Sequence, residues 1–398
     1  MNKINLMREI REVKNQLSYS KNIGFLFGAG TSCALGIPNI AELTEDVEKS
    51  LAGDSLKCFK IIREDLKSAS SKPINIEDIL NQVRRIRDIT SNRVDKNYLN
   101  VCGNDAKKLD IEICNSIYKI INEKELLAPL DDTKRFFAWL DLQNRDYSKE
   151  IFTTNYDLII EKSLEETKIP YFDGFVGSYE PFFWQDSIDR FVDKNDITKN
   201  WIRLWKIHGS LSWFWKENKT TGAYSIVRSG KSGDPKGDNN ELVIYPSKDK
   251  YDSSRKQPFV AYFDRLKNYL IIGELLFIFT GYSFSDQHIN DLIFNCLRTN
   301  NRLYAIVLFF KDEEVESLYK LSSSYLNLSV FGPTKAIING QLGEWEFNKG
   351  DLKPGESSDS FWDEATNSLL LGDFKKLVNF LILSSGKKDT IEVIANGK

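Results

Sequence analysis

The 398-residue chain has only two histidines and five cysteines. Cys33, Cys58, Cys102, Cys114 and Cys296 form no closely spaced pair, which argues against a disulfide framework and against a zinc site built from two close Cys pairs. Reduced thiols in a cytoplasmic setting are the expectation. No apolar run reaches membrane-spanning length. Lys3, Arg8, Glu9, Arg11 and Glu12 interrupt the apolar positions of the amino-terminal segment, so no signal-peptide core is expected either. A formal net charge of -3 leaves no global positive field to hold nucleic acid without sequence preference. The glycine run at 28–30 neither extends to a GxGxxG fingerprint nor carries the Lys of a Gly-Lys-Ser/Thr phosphate loop.

What is present is apolar residues at 41% and aromatics at 12%, enough for one large core or two modest ones. Their spacing alternates between strand and helix. The run Phe27-Gly28-Ala29-Gly30-Thr31-Ser32-Cys33-Ala34-Leu35-Gly36-Ile37-Pro38 directly follows the apolar Ile23-Gly24-Phe25-Leu26, as a first sheet strand turning into a phosphate loop would. Taken alone, Gly-Ala-Gly also fits an ordinary turn. Comparable units follow: Ile151–Asp157 before a helix at 158–166, Trp201–Ile207 closing on His208-Gly209, Glu274–Thr280 running into Gly281–Asp286, and Leu303–Phe310. Strand, polar turn and helix in this repeated order predict an α/β fold with a doubly wound, mostly parallel, Rossmann-like sheet. Parallel order would bring the four polar turns to one carboxyl edge.

The remaining segments predict helices over 4–20, 40–50, 76–89, 109–127 and 259–273, the middle ones belonging to a helical insertion at about 50–135. Residues 217–258, rich in Gly, Asn and Asp, read as a loop or lid with a strand at 242–245. The main domain is expected over 1–335. Beyond it, 336–398 reads as a helical appendage with helices at 361–371 and 375–383, serving either as a cap on its own domain or as an oligomerisation element. Trp201, Trp205, Trp213 and Trp215 are most simply sheet core. His288 lies in the first turn of a helix that Asp286 would cap, which favours capping or pocket lining over catalysis. A metal site from His208, His288 and Asp286 has no spacing to support it, and Cys33 lacks a local His partner for thiol catalysis.

Together the motifs resemble the sirtuins, and especially the bacterial sirtuin-like proteins of anti-phage defence. The resemblance rests on Gly28-Ala29-Gly30-Thr31-Ser32 with Gly36-Ile37-Pro38, on Thr154-Asn155-Tyr156-Asp157, on His208-Gly209, and on Gly281-Tyr282-Ser283 with Asp286. It implies that Gly28, Ala29, Gly30, Thr31, Ser32, Ile37 and Pro38 line the NAD+ site on the diphosphate side, with Gly281, Ser283 and Asp286 toward the adenosine. It further implies that Asn155 and Asp157 hold the nicotinamide ribose region and that His208 is the catalytic histidine. Two departures from the deacylase pattern point toward NAD+ hydrolysis: Asn39-Ile40-Ala41 replaces the usual Asp-Phe-Arg, and the Cys pairs of the structural zinc are missing. The expectation is therefore an NAD+ glycohydrolase without structural zinc, homo-oligomeric and restrained until triggered, with a HerA-type ATPase or another defence-system protein as a partner. A deacylase or ADP-ribosyltransferase using the same pocket, and a non-catalytic NAD or ADP-ribose sensor, stay open as alternatives.

Overall fold

The computed structural model describes residues 2–70, 73–145, 147–188, 197–217, 220, 222, 224–229, 241–244, 258–354 and 356–397. In chain order, β1 (Asn2–Asn5) leads into α1 (Leu6–Tyr19), β2 (Ile23–Phe27) and the short α2 (Ala29–Cys33). α3 (Ile40–Ser50), α4 (Gly53–Ala69), α5 (Ile76–Thr90), a small hairpin of β3 (Asn97–Tyr98) and β4 (Val101–Cys102), and α6 (Gly103–Glu125) follow. α7 (Asp131–Asp141), β5 (Glu150–Thr153) and α8 (Ile159–Glu166) return the chain to the sheet. Next come β6 (Tyr171–Phe172), β7 (Phe175–Val176), β8 (Phe182–Phe183), β9 (Ile202–Lys206), β10 (Gly209–Glu217), β11 (Tyr224–Arg228) and β12 (Glu241–Ile244). The last third contains α9 (Phe259–Leu270), β13 (Leu275–Thr280), α10 (Gln287–Thr299), β14 (Leu303–Leu308), α11 (Asp312–Ser322), β15 (Leu328–Phe331), β16 (Lys335–Ile338) and β17 (Gln341–Glu346). It closes with β18 (Trp362–Asp363), β19 (Ser368–Leu369), α12 (Phe374–Ser385) and α13 (Lys388–Ala395).

Ten strands form the central sheet in the order β1-β17-β16-β15-β14-β13-β2-β5-β9-β6. Only β16 runs against the others; every remaining pair in it is parallel. The fold class is thus α/β with a mostly parallel Rossmann-like sheet. Its strands are apolar on both sides because helices cover both. Ile23, Phe25 and Phe27 of β2 face a layer that includes α1, α7, α12 and α13, while Leu26 faces the layer of α9, α10 and α11. From β2 the chain order runs outward to β5 and β9 on one side, then restarts at β13, β14 and β15 on the other. The gap between β2 and β13 is therefore the switch point of the sheet, where open α/β folds bind ligands. A third core, of α3 to α6, also takes in Leu35 and Ile37 behind the Gly28 loop and Leu211, Phe214 and Val227 of a second, five-stranded sheet.

Several sequence readings are corrected. Residues 4–5 belong to β1, which pairs with β17 at the sheet edge, and Asn5 caps α1 by accepting from Arg8 N at 2.8 Å. The boundary at 335/336 passes through the central sheet, since Lys335 opens β16. Residues 361–371 are not a helix: Trp362 pairs with Leu369 in a hairpin. The physical reason is Asp363, whose carboxylate accepts from Ala365 N at 2.9 Å and from the Thr366 hydroxyl at 2.9 Å, a local turn that outcompetes helix. The helix expected at 375–383 is α12, and it buries Phe374, Leu377, Phe380 and Leu381 in this chain's own sheet-covering layer. Most of the expected lid, including 230–240 and 245–257, lies outside the described residues.

Candidate functional site

The site is built where β2, β5, β9 and β13, four adjacent parallel strands, end together. At the end of β2 the chain turns at Gly28 into α2. Both glycines of this turn are required by a neighbouring loop. A Cβ on Gly28 would lie 2.3 Å from Gly281 O, and one on Gly30 would lie 2.7 Å from the Gly281 Cα. Backbone hydrogen bonds seal the contact, Gly28 N to Thr280 O at 3.0 Å and Gly30 N to Gly281 O at 2.9 Å. Gly281 itself needs the left-handed region, with φ +64°. Ala29 and Gly30 remain exposed at the crevice.

Across β2, the turn after β5 inserts Asn155. Its Nδ2 donates to Gly28 O at 3.0 Å, Thr31 Oγ1 at 3.1 Å and Ser32 Oγ at 2.8 Å. A carbonyl among the three acceptors fixes which way the amide points. Ser32 Oγ in turn donates to Asp157 Oδ2 at 2.6 Å, and Asp157 Oδ1 accepts from Ile159 N at 3.2 Å. Thr31, Ser32, Asn155 and Asp157 are all buried. Thus Asp157 has both oxygens engaged inside the protein, and its position is that of a brace between the Gly28 loop and the head of α8.

His208 follows β9, and Asp286 follows β13. Their side chains meet at 3.2 Å, Nε2 to Oδ2. Asp286 also caps α10, its Oδ1 accepting from His288 N at 2.9 Å and Ile289 N at 3.2 Å. Burial pushes the Asp286 carboxyl up, but the His208 contact and the two backbone donors outweigh it and hold it below the usual carboxylate range. The two histidines thus separate in role, since His288 is exposed. Ser283 is exposed and donates to Ser285 at 3.1 Å. Ile37 is packed into the helical core, with its N–H on Ser32 O at 3.2 Å, and Pro38 is half-buried beside it. Burial and the carboxylates of Glu42 and Asp157 push the Cys33 thiol up to about 11, against nucleophilic use.

Two residues that sequence reasoning missed support this arrangement. Lys206, at the end of β9 and 2% exposed, donates to Asp157 O and to Glu161 Oε1, the latter at 2.8 Å. Glu125, at the end of α6, accepts from Leu158 N at 2.7 Å. Burial and the nearby Asp157 carboxylate push Glu125 up to about 7, against the Leu158 N–H and Lys206. The signal for Lys206 was a lysine flanked by Trp205 and Ile207 at the end of a buried strand, where charge is rare unless paired. Glu125, in a polar helix end, gave none. Among the described residues no cluster of three or more His, Cys, Asp or Glu side chains is placed to hold a metal, and no helix is long and apolar enough to cross a membrane.

Residues 149–327 match a family described as SIR2-like domain. Over that span, less than half of its length, the chain is similar to that family. The span includes Asn155, Asp157, His208, Gly281, Ser283 and Asp286, whereas the Gly28 loop precedes it. No curated protein matches the chain. Solved structures with some likeness include a Sir2 homologue–NAD complex, at 14% identity over 77% of this chain and 84% of that one with a TM-score of 0.35. Another is a Sir2 homologue mutant–ADP ribose complex, at 13% identity over 74% and 83% with a TM-score of 0.36. Likeness at this level carries no argument about activity.

Proposed function

We propose that this chain is an NAD+ glycohydrolase, cleaving the nicotinamide–ribose bond to give nicotinamide and ADP-ribose. The observation that carries the reading is the meeting of the Gly28 loop, Asn155 and the His208–Asp286 pair at the switch point of a parallel sheet, within and beside a sirtuin-like span. The residues suit the group. The Gly28–Ser32 turn offers a small, exposed backbone ledge at Ala29 and Gly30, and the exposed Ser283 and Ser285 lie in the loop whose Gly281 packs on that turn.

In the proposed reaction the C1′–N bond breaks and its electron pair returns to the pyridine nitrogen, so the leaving ring becomes neutral and needs no strong acid. Water attacks C1′, forming the new C–O bond, and its proton passes to the imidazole of His208 and then to solvent. With the Nδ2 of Asn155 held by three protein acceptors, its Oδ1 is directed to a ribose hydroxyl or the attacking water. Asp157 keeps that turn in place through Ser32. The same proposal includes a role as an NAD-depleting effector of anti-phage defence, a homo-oligomeric state and a HerA-type ATPase or other defence-system partner, which rest on the family resemblance, and the absence of a structural zinc, which rests on the missing close Cys pairs. His208→Ala tests the assignment. NAD+ cleavage should fall by about 10²- to 10⁴-fold with the fold retained, and near-unchanged turnover would reject it.

A further inference from the structure

We propose that Asp286 is a positioning residue that fixes the ring of His208 across the mouth of the crevice, in the tautomer that carries its hydrogen on Nε2. Its kinetic consequence rests on the NAD+-cleaving reading; the tautomer does not. β9 and β13 are separated in the sheet by β5 and β2, about 14 Å at the usual strand spacing, yet the loops that follow them bring these two side chains to 3.2 Å. The pair therefore spans the ends of the two strands that carry the Gly28 loop and Asn155.

The carboxylate is anchored before it meets the ring. Its Oδ1 takes the two capping N–H groups of α10, which leaves Oδ2 directed at Nε2. The loop is held as well: Tyr282 Oη donates to Asn290 Oδ1 at 3.0 Å, and Asn290 Nδ2 donates to Phe284 O at 2.7 Å, with Phe284 at φ +54°. An ionised carboxylate can only accept, so Nε2 must donate. In the neutral ring, Nδ1 is then the basic nitrogen that takes the proton of water or a ribose hydroxyl.

With only two histidines in the chain, imidazole ¹⁵N spectra of uniformly labelled protein assign this directly, His288 being the exposed reference. At about pH 8.5, above the unperturbed imidazole range, His208 of the wild-type chain should show the Nε2–H tautomer. Asp286→Ser retains a good helix cap but is too short to reach the ring. It should give a mixed tautomer and lower kcat for NAD+ cleavage by about 10- to 100-fold with KM changed less than about threefold. Asp286→Asn keeps the cap with its single oxygen but turns an NH2 donor toward Nε2, so it should shift His208 to the Nδ1–H tautomer and lose at least as much activity as the Ser variant. A wild-type Nδ1–H tautomer would overturn the inference, even if the Ser variant fails to fold. So would a folded Asp286→Ser chain with wild-type tautomer and kcat, since Asp286 would then be a cap alone. A wild-type chain with the Nε2–H tautomer and no NAD+ cleavage supports the positioning and defeats the proposed reaction instead.

Discussion

Asn155 ties the site together because one amide serves a carbonyl and two hydroxyls on the neighbouring loop. Asn155→Ala should lower NAD+ cleavage about as much as His208→Ala and also cost roughly 1–3 kcal/mol, because buried acceptors lose their donor. Asn155→Asp keeps the shape but sets a carboxylate against Gly28 O and near Asp157. Urea unfolding should therefore rank wild type above Ala and Ala above Asp; an Asp variant as stable as wild type would show that the donor role is misplaced. Glu125 supplies a pH test. The native chain holds its proton up to about pH 7, whereas the unfolded chain releases it near the ordinary 4.5. Its contribution to stability is full below about pH 4.5 and is lost as pH rises through 7. Glu125→Gln keeps the acceptor for Leu158 and removes the ionisation. The variant should gain on the order of 2 kcal/mol over wild type at pH 8 and little at pH 4.5, and an equal effect at both would contradict the burial argument.

Local pattern made most elements near the site legible. β2 and α3 fall where Ile23–Phe27 and Ile40–Ser50 place them, the latter with a capping box from Asn39 and Glu42, and Asp286 caps α10 as its position suggests. Contacts between distant segments were not legible. The motif suggested glycines that let a pyrophosphate approach, but Gly28 and Gly30 are held small by Gly281, some 250 residues away. This contrast is measurable. Gly28→Ala must push two backbones apart, at a cost of about 1–3 kcal/mol and a loosened crevice. Gly36→Ala, at φ +88° with open space around it, should cost only about 1 kcal/mol. Equal losses in thermal unfolding would mean that the loop contact is not what demands glycine.

For the whole molecule, the carboxyl-terminal segment changes meaning. Its apolar side chains pack on the same layer as β2, with the Phe374 ring 5.6 Å from Phe27 and 5.9 Å from Phe136, so their burial requires no second subunit. The sequence pattern showed that these residues need cover and was silent on which surface provides it. Removing residues 336–398 would strip most of β16, all of β17 and the α12 and α13 part of that layer, and the remaining 1–335 chain should be insoluble or unfolded; a folded, soluble product would contradict the shared core. This layer packs directly behind the strand that carries the Gly28 loop, so the appendage supports the site from beneath. The central claim concerns what the site does. Mass-spectrometric product analysis of the full chain with NAD+ alone, and again with an acylated peptide and with a HerA-type ATPase as the proposed partner, tests it most directly. Nicotinamide and free ADP-ribose should accumulate in equal amounts without any peptide, whether from the chain alone or only once the ATPase is added; turnover only with the peptide, or tight NAD+ binding with no product under every condition, would contradict the account.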